Sequence, residues 1–235
     1  MLAVFFVAVN DCFSKYSLLY LFSSLIQGEN ERVCKMENEK TKTAVLDAIR
    51  QRRSTRAYNK DPVPEEIINE IVEAGRYAPS AGNGQHTHFY VITNAEKLAE
   101  LRGIVTSVLA NTQEQEGMSS AFLNLIKRAK EGEVDVIYGA PVLIVTTNKK
   151  GGQNAIADCS CALQNMMLAA SVNQVANVWI NQFFMLQEAP PIRNFFAGIG
   201  VTEDEELFGS LALGFTEKLE TTPLPRTGNP ITYIR

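Results

Sequence analysis

Pro141-Val142-Leu143-Ile144-Val145-Thr146-Thr147 is an apolar run without polar alternation, the mark of a strand buried on both faces. A helical stretch follows from about Asn154 to Asn173 that is apolar on most faces and rich in small residues: Ala155, Ala157, Ala162, Ala169 and Ala170. All-round apolarity with small side chains implies burial and close helix contacts. Working outward, strands are expected at 88–93, Ala176–Ile180 and Leu207–Phe215. Helical spacing falls at Val45, Leu46 and Ile49, at Ile67, Ile68, Ile71 and Val72 behind Pro64 as the first helical residue, at Leu98–Val108, at Phe122–Ala129, and briefly at Pro191–Ala197. Helices outnumber strands and no regular βα alternation is present, so the expected class is α+β, a mixed central sheet flanked by helices. Thr202 with Glu205 has capping-box spacing before a short turn.

Two short segments carry the chemistry. Arg52-Arg53-Ser54-Thr55-Arg56 packs three guanidiniums and two hydroxyls into five residues, a compact receptor for phosphate oxygens, which match the planar fork of Arg. An Arg-rich helix end is more often a solvated face, and the second segment shifts that balance. Pro79-Ser80-Ala81-Gly82-Asn83-Gly84-Gln85 is a loop by composition, and its Asn and Gln can offer amide donors and acceptors to a flat heterocycle. Phosphate at one end and a heterocycle at the other point to a nucleotide-like cofactor.

The 235 residues are 46% hydrophobic and 20% charged, enough for one domain with a substantial core. A net charge of −4 argues against nucleic acid as a partner. Cys12, Cys34, Cys159 and Cys161 form no CxxC pair; the last two would point about 200° apart on a helix and read as buried small hydrophobes in a reducing, cytoplasmic setting. Residues 1–35 are compositionally distinct. Their apolar runs at 1–9 and 17–26 fall short of a membrane helix and lack a signal peptide's positive start, so no membrane partner is expected. Residues 1–35 are expected to lie outside the fold, and 36–235 to form a single domain opening at Met36.

The ordered motifs resemble the FMN-dependent nitroreductases over roughly Lys42–Arg235. The matching segments are Arg52–Arg56, Pro79–Gln85, Tyr138-Gly139-Ala140-Pro141-Val142-Leu143-Ile144-Val145, Ala162–Ala170, Leu211-Ala212-Leu213-Gly214-Phe215 and Pro225-Arg226. The resemblance implies FMN as cofactor, NADH or NADPH as electron donor, and ping-pong reduction of small-molecule acceptors such as nitroaromatics or quinones. It implies an intertwined homodimer, with the 154–173 helix in its core and the Pro-rich tail from Thr221 embracing the partner. By motif position, Arg52 and Ser54 would hold the phosphate, with Arg53 nearby and Arg226 closing over it. Arg56 would face flavin N1/O2, and Asn83 and Gln85, in the Pro79–Ser80 loop, the pyrimidine edge. Asn181 and Gln182 would place a backbone N–H opposite N5, where many relatives have Glu-Gly, and acceptor specificity would lie in a cover between about 105 and 135.

No side-chain acid, base or nucleophile is required, since a flavin carries the hard chemistry. His86 and His88 are two apart and would share a side of a strand, but no third ligand accompanies them, and no metal is expected. Two alternatives are a flavin-binding storage or sensing protein, which would retain FMN without turnover, and a family variant that dehalogenates or cleaves flavin, which product analysis would separate.

Overall fold

The structure is a computed structural model, and it describes residues 35–235; the expectations for the apolar runs at 1–9 and 17–26 lie outside the described residues. The chain divides into two compact units, Met1–Arg50 and Gln51–Arg235. Of the first, the described residues, 35–50, are helical (α1). Its expected stripe, Val45, Leu46 and Ile49, is exposed.

The second unit is built on a four-stranded sheet in the order β1-β2-β4-β3, from β1 (His88–Ile92), β2 (Val142–Lys149), β3 (Ala176–Ile180) and β4 (Glu205–Gly214). All three ladders are antiparallel, and the one parallel component among the described residues is an isolated bridge, Ser54 to Asn177. β2 lies inside the sheet, and its side chains alternate between two buried faces as a period of two requires. Val142 and Ile144 join Leu211 and Leu213 beneath α2 (Glu65–Arg76) and α5 (Ala155–Val172). Leu143 and Val145 join Val178, Ile180 and Ala212 beneath α3 (Ala95–Ala110), α4 (Ser120–Lys130), α6 (Gln182–Leu186) and α7 (Pro190–Gly198). The continuous apolar run thus has two helical layers to serve.

Local chemistry sets the helix ends. The Asn94 side chain accepts from the Lys97 N–H to open α3, and Ser119 accepts from the Phe122 N–H to open α4. Glu65 and Glu66 in the first turn of α2 and Arg76 in its last complement the helix dipole. Pro64 sits one residue outside α2, at φ −55° and ψ 142°, because the extended ψ lets Ile68 begin the backbone ladder from the Pro64 carbonyl. α2 packs on α5 through Ile71, Gly75 and Met166, where a Cβ on Gly75 would come within 2.8 Å of Met166 Cγ. Leu163 and Met166 are fully buried, each contributing about 1.5–3 kcal/mol by transfer from water. α5 is the one helix among the described residues long and apolar enough to cross a membrane, yet its buried side packs on α2 and the sheet.

Several expectations need correction. Cys159 is buried but Cys161 is exposed, because α5 turns only one side to the core. His86 precedes β1, so it does not share strand geometry with His88, whose Nδ1 lies 3.1 Å from Glu205 Oε1. Thr202 and Glu205 make one half of a capping box, the Thr202 N–H donating to Glu205 Oε2, but the turn leads into β4 and not a helix. α6 was not anticipated: five residues carry too little periodicity to register.

Candidate functional site

Arg52 to Arg56 form an extended segment anchored to the outer edge of β3. The Thr55 N–H donates to the Asn177 carbonyl at 2.9 Å, beside the Ser54–Asn177 bridge. Asn177 is itself buried, its amide donating to Met167 O, Ser171 Oγ and Val175 O, which fixes the strand end that carries the motif. The sequence did not single out Asn177, although a polar residue inside Ala-Asn-Val-Trp-Ile was a visible signal. Tyr58 pins the other end, its hydroxyl lying 2.8 Å from Thr55 O and 3.2 Å from Ala212 O. Burial, then Tyr138, push that phenol up, and Arg56 opposes them.

Arg52, Arg53 and Arg226 come together here. Arg53 Nε donates to Thr222 O at 2.7 Å and its Nη1 to Arg52 O at 2.6 Å, so Arg53 stitches the C-terminal tail to the motif. Arg52 is half-buried, and burial, Arg53 and Arg226 lower its pKa. Its Nη1 is buried without a hydrogen-bond partner, among the described residues. A guanidinium in this state is costly unless an anion completes it. The donor set fits the phosphate of a nucleotide cofactor. Ser54 and Arg56 are exposed beside it, and the Arg56 guanidinium carbon lies 6.0 Å from the centroid of the Tyr138 ring.

Asn181 and Gln182 follow β3 on the same edge, four residues beyond Asn177, or about 13 Å along a strand. The Asn181 N–H donates to Gln182 Oε1 at 3.2 Å, so of the two candidates Gln182 is the one whose backbone N–H that bond does not occupy.

Pro79, Ser80, Asn83 and Gln85 sit elsewhere. Their loop leads into β1, the opposite edge of the sheet, about 14 Å from β3 at the usual strand spacing. Asn83 and Gln85 adopt left-handed backbone, with φ of 55° and 52° around a 3-10 turn at Ala81–Asn83. Two anchors hold that shape: Ser80 Oγ accepts the Gln85 N–H at 3.0 Å, and Asp158 Oδ1 on α5 accepts the Ala81 N–H at 3.1 Å. The loop walls a cleft of about 560 Å³ that Asp158 and Ala162 also line. Asp158 is another functional support that the sequence did not mark out. One chain therefore unites Arg52, Arg53, Ser54, Arg56 and Arg226 along one edge and places the Asn83 loop on the other.

Residues 49–215 match the model of the Nitroreductase family, and the chain belongs to that family. A nitroreductase with bound FMN from Bacteroides fragilis NCTC 9343 superposes with a TM-score of 0.73 at 32% identity, covering 81% of this chain and 98% of that one. A second, from Desulfitobacterium hafniense DCB-2 and also with bound FMN, gives 0.70 at 25% identity over 82% of this chain and 98% of that one. Among curated proteins, one of Archaeoglobus fulgidus, provisionally named an NADH dehydrogenase/NAD(P)H nitroreductase, is 28% identical over 170 residues, 72% of this chain and 84% of its own length.

Proposed function

We propose that this protein is an FMN-dependent oxidoreductase that takes electrons from NADH or NADPH and passes them by ping-pong exchange to nitroaromatics, quinones or related small acceptors in the cytoplasm. The observation that carries it is the half-buried Arg52, with Arg53 and Arg226 beside it and an orphaned Nη1, a receptor lacking only an anion. Family membership and the FMN-bound relatives name the anion's owner.

FMN, when bound, supplies hydride and electron transfer at its ring. The protein's part is to hold and polarise it. Arg52, Ser54 and Arg226 bind the phosphate, while Arg53 ties the tail that carries Arg226. Arg56 faces the N1/O2 edge, where a preorganised cation favours developing negative charge. The backbone N–H at Asn181–Gln182, just past the end of the same edge strand, would face N5.

Asn83, Gln85, Pro79 and Ser80 complete the site from a second copy of the chain, because their own loop is on the far edge of the sheet. A homodimer also accounts for apolar groups the single chain leaves open: Ile156 and Val172 on α5, and Leu224, Ile231, Tyr233 and Ile234 on the tail.

The test is the visible spectrum of the purified full chain, before and after anaerobic NADH or NADPH. A flavin spectrum that bleaches, then recovers on adding a nitroaromatic or quinone, is expected. A colourless protein that takes up no FMN would sink the proposal; bound flavin with no turnover against a broad acceptor panel would turn it into a storage or sensing protein.

A further inference from the structure

Tyr138 is held in a conformation that its side chain disfavours. It has φ of 57°, where a bulky L-residue is rare, and Gly139 follows with φ of 74°. Asp135 enforces the turn: its Oδ1 accepts the Ile137 N–H at 3.0 Å, its Oδ2 the Gly139 N–H at 2.7 Å, and its carbonyl the Tyr138 N–H at 3.3 Å. Glycine or asparagine would sit at this position with less strain. Strain of this kind persists only where the surroundings over-determine it, and it concentrates at ligand sites.

What the strain achieves is visible in the ring's placement. The ring packs partly buried against the edge of the core, and its face is turned to Arg56, whose guanidinium carbon lies 6.0 Å from the ring centroid. Arg56 is exposed, and no carboxylate is paired with it among the described residues. At that distance the cation–π attraction is weak, so the ring guides a flexible side chain and does not lock it. Packing alone explains a partly buried aromatic, but not why it is carried on left-handed backbone clamped by a carboxylate.

We infer that Tyr138, clamped by Asp135, is a positioning residue that directs the Arg56 guanidinium toward the N1/O2 edge of the flavin and so raises the cofactor's tendency to accept electrons. This rests on the FMN reading above. Tyr138 touches Arg56; Arg56 is the group that meets the cofactor.

The test uses the full-length protein and two readouts that need no turnover: FMN dissociation constant by fluorescence, and two-electron midpoint potential by dye equilibration. Arg56→Gln is expected to weaken the preference for reduced over oxidised flavin about tenfold, which lowers the potential by about 30 mV. Tyr138→Asn, which tolerates left-handed backbone but removes the ring, shifts it in the same direction. Tyr138→Phe keeps the wild-type value, and the double variant R56Q/Y138N falls no further than R56Q alone. Should Y138N not fold, the ringless, volume-filling Tyr138→Leu replaces it. A wild-type potential in Y138N beside a lowered one in R56Q overturns the inference, as do additive shifts in the double variant or an unshifted R56Q. Failure of the wild-type chain to take up FMN is a different result, which removes the flavin reading and this inference together.

Discussion

At the scale of single residues, the candidate site is marked by a buried donor that no protein group satisfies. Arg52 is half-buried beside two more guanidiniums and leaves Nη1 without a partner. An unpaired buried guanidinium costs stability, whereas the same donor would favour a bound anion. Arg52→Gln should therefore raise the melting temperature of flavin-free protein while weakening FMN binding about tenfold to a hundredfold, the range of one or two charge-assisted hydrogen bonds. Thermal unfolding of the apoprotein and an FMN titration check the two halves; a variant that loses stability and keeps its affinity would contradict both. Glu205 is the opposite case, a carboxylate with every need met. Burial alone would raise its pKa, but Thr147, the Thr202 N–H and Tyr90 bring it down to about 2. A carboxyl ordinarily titrating near 4.5 contributes stability that is fully present above that value and lost as pH falls from there toward 2. Denaturant midpoints should accordingly fall between pH 4.5 and 2 in the wild type, whereas Glu205→Gln should start lower at pH 7 and slope less across that window.

At the scale of elements, pattern was legible wherever one period ran long enough. Ala176–Ile180 matched its strand, and the stretch at 154–173 matched α5 with Asn154 and Asn173 as its caps, because the burial of each is set by its own side chains. Arg52 and Arg53 stand side by side in the sequence, and Arg226 joined them only through the family resemblance; Asn177, Asp158 and Asp135, which hold the motif segments in place, gave no such signal. Each supports a backbone far along the chain or a local turn, through hydrogen bonds that no periodicity encodes. The kink between β2 and β4 was equally hidden. Thr146 faces Gly209 while Thr147 faces Leu207, so Phe208 is an extra residue and the ladder bulges. Gly209 has φ of 131°, and a Cβ there would meet Leu163 Cδ1 at 2.9 Å and Trp179 Nε1 at 3.0 Å. Gly209→Ala combines a disfavoured backbone with overpacking and should cost about 2–4 kcal/mol in denaturant unfolding. A loss below about 0.5 kcal/mol would mean that the bulge relaxes without strain.

At the scale of the whole molecule, the sheet order decides how a site can be assembled. With β3 and β1 on opposite edges of the sheet, about 14 Å apart at the usual strand spacing, the Arg52 segment lies outside one edge and the Asn83 loop leads into the other. Nothing in the linear sequence distinguished this from a site closed within one chain, because motif order is the same in both. Mixed subunits do distinguish them. Let Arg52→Gln and Asn83→Ala each lose most FMN affinity as homodimers. In a composite site, a mixed dimer pairs the two defects at one site and leaves the other with Arg52 and Asn83 both intact. Unfolding and refolding the two variants together at equal concentration should thus restore one of the two sites in each mixed dimer, or about one-quarter of all sites when subunits pair at random. The restored fraction is read as tightly bound FMN per subunit. Were both residues to act within one chain, every site in the mixture would carry a defect, and no tight fraction would appear.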